Sequence, residues 1–282
     1  MAFNAAKSED YMMGGEDSIL EVKEISFSYP GAGKGKQIFS DITFRLKRGD
    51  VFILLGANGA GKSTLLNCLS NMLTPDTGEV LLNGKRFSQL GIRETAKIMG
   101  YVPQLYAPSF SYTVRDYVVM GCAPHMGILS VPQHMEYEKA DAALCRMKME
   151  HLADKVYTQI SGGERQQVQI ARVLVQESKI ILLDEPTNHL DYGNQLKILQ
   201  TISDLAQEGI TIVMTTHNPD HAILLDGTVG ILDNRGHLNV GSAREVISEE
   251  SLKELYQTSL HLIYIDKVGR MACIPGNLKN LT

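Results

Sequence analysis

In Gly56-Ala57-Asn58-Gly59-Ala60-Gly61-Lys62-Ser63-Thr64, the first eight residues fit the pattern G-x-x-x-x-G-K-[ST]. Their chemistry is that of a phosphate cradle. Glycines let backbone N–H groups turn inward around a β-phosphate, and the N-terminus of the following helix adds positive potential. Lys62 would reach β and γ oxygens, the Ser63 hydroxyl would coordinate Mg²⁺, and Thr64 would face the α-phosphate. A Gly-rich turn with no ligand could share the pattern, but the context argues against it. The apolar run Val51 to Leu55 precedes the loop and a helical run from Leu65 to Met72 follows, as the motif requires.

A second cluster ends the unalternating apolar run Ile180-Ile181-Leu182-Leu183 with Asp184 and Glu185. In open α/β sheets, ligands bind outside the carboxyl ends of the strands. An isolated Asp-Glu pair before Pro186 would be a solvated strand end. Beside a phosphate loop, Asp184 is expected to help hold Mg²⁺, and Glu185 to act as general base on an attacking water.

The third cluster is Gln159-Ile160-Ser161-Gly162-Gly163-Glu164, which opens a helix with apolar positions Val168, Ala171, Leu174 and Val175. Ser161 and Glu164 have the S-x-x-E spacing of a capping box. Capping alone leaves Gly162 and Gly163 unexplained, because adjacent glycines cost helix stability unless the backbone must approach something closely.

Taken in order along the chain, these motifs resemble the ATP-binding cassette (ABC) family over about Ile19 to Val240. The resemblance implies an α/β fold: a P-loop NTPase core with an early antiparallel β subdomain and an inserted helical subdomain. It implies ATP and Mg²⁺ as ligands, ATP hydrolysis, and a head-to-tail homodimer in which Ser161, Gly162 and Gly163 of one subunit bind the γ-phosphate held by the other. By the same likeness, Tyr29 stacks on adenine, Gln104 is the Q-loop glutamine touching Mg²⁺ and water, Asp191 is the D-loop aspartate and His217 contacts the γ-phosphate. The chain departs from the family signature L-S-G-G-Q with Ile160 for Leu and Glu164 for Gln, and from the usual Ser-Ala before Leu-Asp with Asn188-His189. A carboxylate at 164 would repel a γ-phosphate unless it folds back to cap its own helix, which is the expectation here. His217 and His221 have the i, i+4 spacing of a metal pair but lack a third plausible ligand.

Partners follow from the same resemblance. Leu105 to Tyr112 follows Gln104, where cassettes contact the coupling helix of a transmembrane permease subunit. The stretches Tyr112 to Gly121 and Thr215 to Ala222 look most like ATPases of metal-chelate importers, a group that carries iron siderophores, haem, cobalamin and, in close relatives, molybdate. Such an ATPase sits peripherally on the cytoplasmic face of a membrane and serves a substrate-binding protein indirectly. The alternative is a soluble cassette ATPase of the kind used in iron-sulfur cluster assembly.

These residues need elements to hold them. Leu20, Val22, Ile25, Phe27 and Tyr29 alternate loosely as a strand, and Asn83-Gly84 between apolar arms predicts a tight hairpin. The unalternating runs Val51 to Leu55, Ile180 to Leu183, Ile210 to Met214 and Val229 to Leu232 suit parallel strands buried on both faces. Helical spacing at Glu138 to His151 and Glu164 to Val175 predicts a helical subdomain over about 104–178, and Ala243 to Gln257 reads as one amphipathic helix. The domain scheme is a disordered leader over 1–18, a nucleotide-binding domain over 19–240 and an extension over 241–282. No apolar run reaches membrane-spanning length, and the start of the chain lacks the pattern of a secretory signal. A net charge of -5 argues against sequence-independent nucleic-acid binding. Four scattered cysteines show no metal-ligand spacing and suit a reducing cytosol.

Overall fold

The computed structural model describes residues 18–30, 36–104, 111–127 and 129–277. The expected leader, apart from Ser18, and most of the expected permease-contact segment, residues 105–110, lie outside these. The chain divides into two compact units, one holding the residues up to Phe87 together with Val213 onward, the other Ser88–Ile212.

The first unit opens with β1 (Ser18–Tyr29), β2 (Lys36–Lys47), β3 (Val51–Leu55), α1 (Lys62–Leu69), β4 (Thr77–Leu82) and β5 (Lys85–Arg86). Strand order β2-β1-β4-β5 makes the expected antiparallel sheet. The spacing of buried residues in β1 changes from Leu20 and Val22 to Ile25 and Phe27, and the ladder shifts register between them, where Glu24 has φ 50°. This bulge keeps both pairs facing the core. Asn83 and Gly84 have φ 48° and 71°, the left-handed pair that a two-residue hairpin of this hand requires. Helix α1 stops at Leu69, short of Met72. Asn71 (φ 61°) and Met72 close it, with the Met72 amide donating to Asn67 O at 2.9 Å, a Schellman stop built on Asn.

The second unit comprises α2 (Ile92–Ile98), β6 (Met99–Val102), α3 (Val114–Val119), α4 (His134–Arg146), α5 (Gly162–Leu174), β7 (Ile180–Leu183) and α6 (Tyr192–Gln207). β6 and β7 pair in parallel, Val102 opposite Leu183. α3, α4 and α5 pack on one another, around the fully buried Tyr157, which stacks on Tyr117 with ring centroids 4.2 Å apart. The helix expected over Glu138 to His151 ends at Arg146 instead. Lys148 takes φ 57° and the Met149 amide donates to Leu144 O at 2.8 Å, so a Schellman turn without glycine ends the helix.

Strand β8 (Thr211–Thr216) leads back to the first unit, followed by α7 (Pro219–Leu225), β9 (Thr228–Leu232), β10 (Leu238–Ser242), α8 (Ala243–Val246), α9 (Glu249–Tyr256), β11 (Leu260–Ile265) and β12 (Arg270–Pro275). There the strands run β10-β9-β3-β8, with β3 parallel to β9 and β10 antiparallel at the edge. The single helix expected over Ala243 to Gln257 is two. Ile247 turns extended, and Ser248 caps α9 by accepting from the Ser251 amide at 3.0 Å; a Ser offering its side chain to the backbone favours a cap over a helix interior. The chain beyond, which carries no helical or strand signal after Ile265, completes an antiparallel hairpin, β11 with β12. Among the described residues no helix is long and apolar enough to cross a membrane.

Candidate functional site

The buried strand β3 delivers the chain to Gly56, whose amide donates to Thr216 O at the end of β8 (3.3 Å). Gly59 and Gly61 follow in left-handed conformations, φ 83° and 102°, which residues with a Cβ adopt at a cost. Gly61 also has no room for a side chain, because a Cβ there would lie 2.5 Å from Ile38 Cγ2. Lys62 is 4% exposed, and its ammonium donates to the carbonyls of Gly56 (2.8 Å) and Ala57 (3.0 Å). The cation is thereby held across the loop by its own backbone. The amides of Asn58, Gly59 and Gly61 have no acceptor among the described residues, so the loop offers N–H donors and an ammonium to an anion. Ala60 is buried behind it, while Ser63 is exposed.

Tyr29 stands 42% exposed at the end of β1, its hydroxyl 3.3 Å from Thr64 Oγ1 and its ring edge-on to Phe27 at 5.0 Å. A flat aromatic face thus lies beside the start of α1. In the same unit, His217 follows β8 with an exposed side chain. His221 differs. It is 5% exposed, Asn218 Nδ2 lies 3.2 Å from its Nε2, and Thr216 Oγ1 lies 3.1 Å from its Nδ1. Since Asn218 Oδ1 accepts from the Asp220 amide, its Nδ2 donates, so His221 Nε2 accepts and the proton sits on Nδ1. Burial, with His217 nearby, pushes the His221 pKa down to about 4. Its ring serves the fold of this turn, not an i, i+4 metal pair.

In the second unit, β7 carries Asp184 and Glu185 to its C-terminal end, 4% and 8% exposed. The Asp184 amide donates to Val102 O (2.9 Å), and its carboxylate accepts from the Tyr101 hydroxyl (3.4 Å) on the neighbouring strand. Tyr101 therefore holds the Asp184 carboxylate in place, a role that sequence reasoning did not assign; burial and the Asp184 charge raise its pKa. Glu185 has φ 45°, a conformation that is uncommon for a residue with a side chain and that concentrates at functional sites. Asn188 Nδ2 donates to its carboxylate, and the Asn188 amide to its carbonyl (3.1 Å). Gln104 lies two residues past β6 and is exposed.

Ser161 caps α5, accepting from the Glu164 amide (3.3 Å), while Glu164 reaches back to accept from the Ser161 amide (2.7 Å). This reciprocal pair holds the Glu164 carboxyl below its ordinary pKa, the Ser161 contacts being the main cause. The charge at 164 is folded onto its own helix, as expected. A Cβ at Gly162 would meet nothing within 4 Å, whereas one at Gly163 would lie 2.8 Å from Asn194 Nδ2. That same amide donates to Asp191 (2.7 Å), which caps α6 by accepting from the Asn194 backbone (2.9 Å). Asn194 therefore links Asp191 to Gly163; as an unremarkable residue in a helical first turn, it gave no signal in sequence.

In the second unit, the buried Asp184 carboxylate is the kind of hard oxygen donor that Mg²⁺ takes. Among the described residues no three His, Cys, Asp or Glu side chains gather into a site of their own, and Mg²⁺ beside phosphates characteristically uses one or two protein carboxylates.

The loop in one unit offers a cation and backbone N–H donors to phosphate, and the strand end in the other offers two buried carboxylates, in a mixed α/β fold. Residues 39–188 match the ABC transporter family, and the chain belongs to it; it is an ATP-binding, ABC-type ATPase. It is 35% identical over 238 residues to the molybdate import ATP-binding protein MolC of Haemophilus influenzae, covering 84% of this chain and 87% of that one. With the iron(3+)-hydroxamate import ATP-binding protein FhuC of Bacillus subtilis it shares 30% identity over 259 residues, 91% and 96% of the two chains. A solved structure described as an inward-facing conformation of a metal-chelate type ABC transporter superposes with a TM-score of 0.82 at 31% identity, covering 94% of this chain and all of that one.

Proposed function

We propose that this chain is the nucleotide-binding subunit of a metal-chelate importer, acting as a homodimer around two MgATP on the cytoplasmic face of a membrane. The observation that carries the reading is near-full-length likeness to import ATP-binding proteins, 91% of this chain against 96% of FhuC. The cargo class is an iron siderophore, haem, cobalamin or molybdate. Permease subunits receive the conformational change near Gln104 to Tyr112, and a substrate-binding protein acts through them.

Within this reading, Tyr29 stacks on adenine, an interaction worth roughly 1 to 3 kcal/mol. The amides of Gly56, Asn58, Gly59, Ala60 and Gly61 wrap the phosphates. Lys62 exchanges its two carbonyl partners for β and γ oxygens, and Thr64 faces the α-phosphate. Ser63, Gln104 and Asp184 would hold Mg²⁺, which would offset the charge that develops on the phosphate oxygens. Glu185 takes the proton of the attacking water, a role typically giving about 10² to 10⁴ in rate. His217 contacts the γ-phosphate. Ser161, Gly162, Gly163 and Asp191 act across the dimer on the nucleotide held by the partner subunit.

The test is ATP-dependent uptake in vesicles containing this chain and its co-purified membrane subunits, with iron chelates, haem, cobalamin and molybdate as cargo. Uptake of one of them supports the proposal. Recovery of the chain from cytosol alone, with no membrane protein co-purifying, overturns it in favour of a soluble cassette.

A further inference from the structure

The extension over 241–282 does more than add to the core. We propose that Tyr256 and the β11–β12 hairpin position the switch segment for ATP turnover by fixing the backbone of His217 and the first turn of α7. The inference rests on the proposed contact between His217 and the γ-phosphate.

Three polar ties converge on this segment. The Tyr256 hydroxyl donates to His217 O at 2.7 Å. The Cys273 amide of β12 donates to Asp220 Oδ1 at 3.0 Å. The Arg270 guanidinium lies 4.0 Å from the same carboxylate oxygen. Between them, Asn218 caps α7 by accepting from the Asp220 amide at 3.0 Å. Residues 217–220 are therefore held at one end by α9 and at the other by the hairpin.

Core completion does not require these ties. Leu252 and Leu255 of α9 already bury themselves with Ala222, Val229 and Ile231, and Leu260, Leu262 and Cys273 pack on that cluster. That apolar contact would hold the extension in place with no hydroxyl at 256. The polar groups are instead spent on the connection between β8 and α7, where the His217 side chain is exposed. Fixing the His217 carbonyl and the helix that follows fixes the direction of its Cα–Cβ bond. An imidazole aimed at a phosphate oxygen needs that direction, since misplacement of about 1 Å can cost on the order of 10²-fold in rate. Tyr256 can reach because α9 ends there: Gln257 turns left-handed (φ 53°) and leaves Tyr256 as the last helical residue.

Tyr256→Phe in the full-length chain removes one hydrogen bond and keeps the ring. It is expected to lower kcat by about tenfold, the value of one such bond expressed in a barrier, with KM for ATP within about twofold because the nucleotide contacts are intact. In a His217→Ala background, the same change should alter kcat by less than about twofold, because the two act through one contact. A second route avoids Tyr256: Asp220→Ala should lower kcat, and Asp220→Asn, which keeps a carbonyl oxygen for the Cys273 amide, should restore most of it. An unchanged kcat in Tyr256→Phe while His217→Ala is impaired overturns this inference alone, as does an equal loss from Tyr256→Phe in both backgrounds. An unchanged kcat in His217→Ala overturns the reading of His217 on which it rests.

Discussion

At the residue scale, burial decides what each polar side chain can do, and two histidines four apart illustrate it. His217 has an exposed side chain, while His221 is enclosed and kept neutral chiefly by burial. The consequence is a pH dependence of stability. The folded pKa of His221 is lowered to about 4 from 6.5, so the unfolded chain binds the proton first. Stability from this group is full above about pH 6.5, falls as pH drops through the window down to about 4, and changes no further below it. In that window the slope should approach 1.4 kcal/mol per pH unit. Urea midpoints of the parent chain and His221→Gln, compared between pH 7 and 4.5, would show a shallower slope in the variant; parallel slopes would mean that His221 is not held neutral. Spacing alone could not separate these two residues, because burial is set by Thr216, Asn218 and the elements around them.

At the element scale, helix starts carry many of the candidate residues: α1 at Lys62 in one unit, α5 at Gly162 and α6 at Tyr192 in the other. Gly162 and Gly163, adjacent in sequence, differ in what surrounds them. An added Cβ would press on Asn194 at Gly163 but would meet nothing in this chain at Gly162. Gly162→Ala should therefore leave the thermal midpoint within about 2 °C of the parent, since surface changes away from packed features stay within about 0.5 kcal/mol. If the partner's nucleotide approaches that face, steady-state turnover should nevertheless fall at least about tenfold, as one lost close contact implies. Full activity in Gly162→Ala would remove the close approach across the dimer. Motif order and apolar runs were enough to read the phosphate loop, the acidic strand end, the parallel strands and the capped signature helix from sequence. The two Schellman stops, the break at Ser248 and the left-handed Glu185 were not readable, because each depends on a backbone conformation that Asn, Lys, Ser and Glu do not advertise. Tyr101 and Asn194 escaped notice because their partners are distant in sequence or silent in pattern.

At the scale of the whole molecule, hydrolysis and assembly are expected to be linked through residues on the outer surface. The start of α5 presents Ser161 and Gly162 outward, both exposed, and Asp191 is exposed at the start of α6. Ser161 and Asp191 cap their helices, but Gly162 meets nothing in this chain, which is why a second subunit is proposed to meet this face. Glu185→Gln tests that assembly. The substitution keeps an oxygen to accept from Asn188 and leaves Lys62 and Asp184 in place, so ATP binding and the strand end should persist while the base is lost. Turnover is expected to drop by about 10² or more, and ATP, no longer consumed, should hold two copies together. Light scattering after gel filtration in MgATP should then report a dimer of about 62 kDa, twice the 31.1 kDa chain. Lys62→Ala added to this variant should return it to monomer, because the γ-phosphate loses the cation that anchors it on one side of the joint. A Glu185→Gln chain that turns over at the parent rate would refute the base. One that is inactive, binds ATP and stays monomeric would confine the chemistry to a single subunit and remove the role of Ser161, Gly162 and Asp191 in trans.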